Sequence, residues 1–185
     1  MNLSFDIKVS DSVITEIKSL IITSINNMGL YNVKRISFVK DFPKRVNEIR
    51  SEYGYETKDP RLVNGYGYYL KVNNEYILIY DNDVVLEGLT ESNEQRFKQA
   101  LNLFIHEFLH VYDDICQSGM KILSEQNKLF YKEPLGIWAE YYAHRKSAEY
   151  CKVHDNKLYY EILDEYAKNT PYTLHNIESI ARQIG

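Results

Sequence analysis

The chain has 185 residues, of which 44% are hydrophobic, enough to fill the core of one domain. A formal charge of -4 and a pI of about 5.8, with no block of Lys or Arg, exclude a phosphate-seeking surface, so neither nucleic acid nor a membrane is an expected partner. Two cysteines, Cys116 and Cys151, have no CxxC spacing and make no disulfide framework; burial in a reducing compartment is their expected state. No run approaches the roughly 20 apolar residues of a membrane span, and the expected setting is cytoplasmic.

No repeat or Pro-rich linker divides the sequence, so one domain over residues 1–185 is expected, with an α+β lobe up to residue 90 and a helical lobe from residue 91. From Asp11 to Asn27, Val13, Ile14, Ile17, Leu20, Ile21 and Ile25 recur at helical spacing, and Gly29 is placed to end that helix. In VKRISFVK, Ile36 and Phe38 alternate with polar positions as in a strand, and Pro43 opens a short helical segment to about Tyr53. Tyr66, Tyr68, Leu70 and Val72 alternate. Asn73 and Asn74 suit a tight turn, and Tyr76 to Tyr80 complete a β-hairpin. A polar loop follows, then Ser92 and Gln95 as a capping box for a long helix to about Gln117. Pro134 suits the first turn of a further helix to about Cys151, and two more helical segments are expected around Leu158 to Tyr166 and from Pro171 to the end.

The long helix carries the chemistry. At about 100° per residue, Phe97, Leu101, Phe104, Phe108, Val111 and Ile115 fall on one stripe, the expected core face, and His106 and His110 point away from it. These two histidines lie one turn apart within HEFLH, where both imidazoles can reach a single ion. Glu107, about 100° round from His106, can flank that ion and move protons without being a ligand. A catalytic zinc commonly takes three protein ligands and leaves one position open. In LGIWAEYYAHRKSA, Glu140 shares a helix face with the small residues Gly136, Ala143 and Ser147, which makes it the candidate third ligand, with His144 the competing one.

HEFLH followed by Glu140 on a later helix resembles the gluzincin branch of the zincin metallopeptidases, and the Glu140 to Ala143 ExxA pattern resembles compact bacterial and mobile-element peptidases of the ImmA/IrrE type. The likeness covers residues 92–151 and extends to the hairpin by order of elements only. The metzincin pattern fails, because Asp113 and Cys116 stand where it wants Gly and His. The resemblance implies a compact α+β zincin-like fold with a small antiparallel or mixed sheet, Zn2+ held by His106, His110 and Glu140, and Glu107 as general base. It also implies a peptide or protein substrate, cut as an endopeptidase would, paired with an edge strand just before the metal helix; Tyr76 to Tyr80 is the expected edge. His144 stands where thermolysin-like members have an aspartate that orients a ligand histidine, and Asp114 can share that work. An additional oxyanion donor is expected, with Tyr141, Tyr142, His154 and His175 all chemically able. A zinc-binding interaction module that retains the fold without catalysis is the alternative, distinguished by a closed fourth coordination position.

Overall fold

A computed structural model describes residues 1–55, 65–116, 139, 140 and 142–152. By their internal packing, Met1–Tyr112 and Asp113–Gly185 form two units. The helical segments expected after residue 152, the Pro134 helix start, Tyr141, His154 and His175 lie outside the described residues.

The first unit is α+β. Its strands are β1 (Asn2–Phe5), β2 (Val33–Val39), β3 (Gly67–Val72) and β4 (Glu75–Asp81), in a mixed sheet of order β1-β2-β4-β3. β1 and β2 pair in parallel, as do β2 and β4, and β3 pairs antiparallel with β4. β1 has no counterpart in the expectations above, since four residues give too short an alternation to read.

Helix α1 (Asp11–Met28) crosses over between β1 and β2. Ser10 caps its start, and Gly29 closes its end at φ 68°, the left-handed conformation that places an N–H on a free helix carbonyl. Helix α2 (Phe42–Glu52) has Pro43 in its first turn. Its Val46 and Ile49 pack with Val39, Leu70, Ile77 and Ile79 on one face of the sheet. Arg50 and Tyr68, joined by a side-chain hydrogen bond, lie at the margin of that layer. The expected hairpin is present, turning at Asn73 with φ 53°.

Four local expectations need correction. β4 is the centre of the sheet, paired on both sides, and its burial from Tyr76 to Tyr80 explains the continuous apolar run that had suggested an edge. Among the described residues the edges are β1 and β3, and β3 is the one beside β4. The expected polar loop is helical instead: a π-turn at Asn82–Leu86 leads into a short helix, α3 (Glu87–Thr90), with Val85, Leu86 and Leu89 buried. Asp81 supports the turn, its carboxylate accepting from the Val84 N–H at 2.8 Å.

The long helix α4 runs from Glu94 to Cys116, and its cap is Asn93 rather than Ser92. The Asn93 Oδ1 accepts from the N–H groups of Gln95 at 3.0 Å and Arg96 at 3.1 Å, using the free donors of the first turn. α3 and α4 approach closely at Gly88, where an added Cβ would stand 2.6 Å from the Ala100 Cβ. Finally, Phe97 is exposed, whereas burial from Phe104 to Val111 includes every face of α4. The apolar stripe is real, but the side opposite it is also covered.

In the second unit, residues 139, 140 and 142–151 are helical. Ala143 and Ser147 are fully buried one turn apart and Cys151 is buried one turn on, so the small-residue face inferred from the sequence is an inward face. Arg145 and Lys146 pair with Glu149 at 3.0 and 2.8 Å on the exposed side.

Candidate metal centre

Stacked aromatic rings set α4 on the sheet. Phe5, Phe38 and Tyr80 are neighbours across β1, β2 and β4, with ring centroids 5.4 and 5.5 Å apart, and Phe104 joins Tyr80 at 5.0 Å. The Tyr80 hydroxyl donates to the Phe104 carbonyl at 2.9 Å, which fixes the helix two residues before His106. Burial holds the Tyr80 phenol well above its ordinary pKa of 10.0, and the charge of Glu107 pushes it in the same direction. Tyr80 is therefore a neutral donor throughout the physiological range.

From there α4 crosses toward the sheet's edge. Gly67 pairs with Tyr80 and Tyr69 pairs with Leu78, so both β3 residues share the face that meets α4. Gly67 lies against Glu107, and the Tyr69 ring stacks on the His110 ring at 5.3 Å with 17° between planes.

The three polar side chains of the motif are inside: His106 and Glu107 are 8% exposed and His110 is 5% exposed. They point away from the apolar stripe and are nevertheless covered, His110 by the Tyr69 ring. The His106 and His110 rings stand edge to face, 86° between planes, and their Nε2 atoms converge to 2.9 Å. Two imidazole nitrogens on one tetrahedral ion at about 2.0–2.1 Å would be about 3.3 Å apart; at 2.9 Å the two nitrogens stand at hydrogen-bonding distance, and an ion between them would move them slightly apart. His106, His110 and Glu140 each offer a ligand atom, and among the described residues they are a group that could hold a metal ion. Glu140 is half-buried, as are His144 and Asp114; His144 is not one of the three. Two imidazoles and one carboxylate are a donor set that a divalent transition-metal ion accepts.

Of the possible oxyanion donors, Tyr142 is described: it is half-buried, and burial raises its pKa. Cys116, expected to be buried, is exposed, while Cys151 is buried with its thiol pushed up to about 12. Gly67 and Tyr69 are site residues that motif spacing does not find. Their signal is a glycine within an aromatic strand, GYY, which marks a place where something approaches the backbone closely.

Comparison of the chain with protein-family models, curated proteins and solved structures gives no match. Among the described residues no helix is long and apolar enough to cross a membrane.

Proposed function

We propose that the chain is a zinc-dependent peptidase in which His106, His110 and Glu140 hold the ion and Glu107 acts as general base. The observation that carries this reading is the convergence of the two Nε2 atoms at 2.9 Å inside the protein, with the carboxylate side chain of Glu107 between them in sequence and equally buried.

A zinc ion held there supplies Lewis acidity, which acidifies water and polarises a carbonyl. Glu107 accepts a proton from the attacking water as its oxygen bonds to the peptide carbonyl carbon. The C–N bond then breaks, and Glu107 delivers that proton to the departing amine, leaving a carboxylate and an amine. An extended substrate segment pairs with β3, which among the described residues has β4 as its strand neighbour on one side and no strand on the other, and whose Gly67 and Tyr69 border Glu107 and His110. Backbone pairing of this kind tolerates many sequences and suits a flexible or unfolded segment of a protein.

The test is a cleavage assay on a denatured protein mixture, scored by new N-termini, with the wild type beside Glu107→Gln and zinc measured in both. New termini from the wild type alone, at equal zinc content, are expected. Zinc bound by both with no cleavage by either would favour the noncatalytic zinc module.

A further inference from the structure

We propose that Gly67 is a positioning residue for Glu107: the missing side chain in the edge strand leaves the space in which the carboxylate lies. This rests on the catalytic reading above for its consequence, although not for its geometry.

A Cβ added to Gly67 would stand 2.6 Å from the Glu107 Cγ, 2.7 Å from its Oε1 and 2.9 Å from its Cδ. All three distances are shorter than nonbonded carbon atoms accept. The first is the most telling, because Cγ is one bond from the Glu107 Cβ and cannot retreat without a new rotamer about the first side-chain torsion. At 8% exposure, Glu107 has little room for another rotamer. The backbone does not demand glycine here: the positive-φ glycines among the described residues are Gly29 and Gly54, so Gly67 has an ordinary strand conformation. Glycine weakens a strand and leaves nothing to pack, yet Tyr68, Tyr69 and Leu70 follow directly as good strand formers. Space is what remains to explain it. Two residues along the same face, the Tyr69 ring fills the corresponding position and stacks on His110. The edge strand thus presents a gap to the base and a ring to the neighbouring imidazole.

The experiment is a double-mutant cycle on the full chain: wild type, Gly67→Ala, Glu107→Ala and the double variant, compared by urea midpoint and zinc content, with kcat and KM added for the two proteins that retain Glu107. The expected result is a lower urea midpoint for Gly67→Ala that is restored, or raised, when Glu107 is also alanine. If Gly67→Ala fails to fold, folding of the double variant gives the same support. In zinc-loaded protein, Gly67→Ala is expected to lose on the order of 100-fold in kcat with KM and zinc content near those of the wild type. An equal midpoint loss in both backgrounds, failure of both alanine-67 proteins to fold, or an unchanged kcat would overturn the proposal. Absence of hydrolysis by the zinc-loaded wild type would count against the peptidase reading instead, and the midpoints would still decide whether Gly67 makes room for Glu107.

Discussion

Glu107 and Glu140 are the same residue type with different proposed work, and substitution separates them. Glu107→Gln keeps the shape of the side chain and removes its basicity, so hydrolysis is expected to fall by at least about 100-fold while zinc content holds. Glu140→Ala deletes a ligand and is expected to weaken zinc binding by more than the roughly 10–100-fold typical of an outer partner, measured by competition with a chelator. Tyr80→Phe removes one buried hydrogen bond to Phe104, at an expected cost of about 1 kcal/mol by urea unfolding. The sign of its pH dependence follows from the raised phenol pKa. Above the ordinary value of 10.0 the unfolded chain releases this proton and the folded chain keeps it, so stability falls as pH rises, and Tyr80→Phe should flatten that part of the decline. At this scale HEFLH was legible because a four-residue spacing stacks two imidazoles whatever surrounds them. Gly67 was not, since the need for a glycine there comes from a side chain 40 positions away in sequence.

The ends of helices are where sequence signals are most local, and two of them provide direct comparisons. Gly29 sits at φ 68° with open space around it, so Gly29→Ala should cost only the backbone strain of the left-handed region, roughly 1–2 kcal/mol in thermal or urea unfolding. At the start of α4, Asn93→Ala is expected to cost about 1 kcal/mol and Ser92→Ala close to nothing, because it is the Asn93 oxygen that receives the Gln95 and Arg96 N–H groups. The capping-box spacing of Ser92 and Gln95 pointed one residue too early, since Ser and Asn are both good caps and only the chain's direction of approach selects between them. Helices α1, α2 and α4 and the hairpin were legible from periodicity, glycine, proline and the paired asparagines. The order of strands was not. An apolar run such as YILIY is compatible with an edge whose outer face is covered or with a centre buried on both faces, and pairing with β2, distant in sequence, decided for the centre. On the other side of β4 the edge is β3, which brings Gly67 and Tyr69 to α4.

For the molecule as a whole, the packed rings of Phe5, Phe38, Tyr80, Phe104 and Phe108 join the sheet to α4, so the position of HEFLH depends on the α+β core. Ion binding to the folded state should in turn stabilise the fold: at zinc 100 times above Kd, about 2.7 kcal/mol is expected, lost on chelation and reduced in His110→Ala, which binds zinc more weakly. X-ray absorption at the zinc edge on the loaded chain reads the ligand set of the ion. Two imidazole nitrogens at about 2.0–2.1 Å with oxygen at about 2.0–2.2 Å, one imidazole shell disappearing in His110→Ala, is the expected spectrum. A sulfur shell at about 2.3 Å, which exposed Cys116 is able to supply, or a spectrum unchanged by His110→Ala, would contradict it.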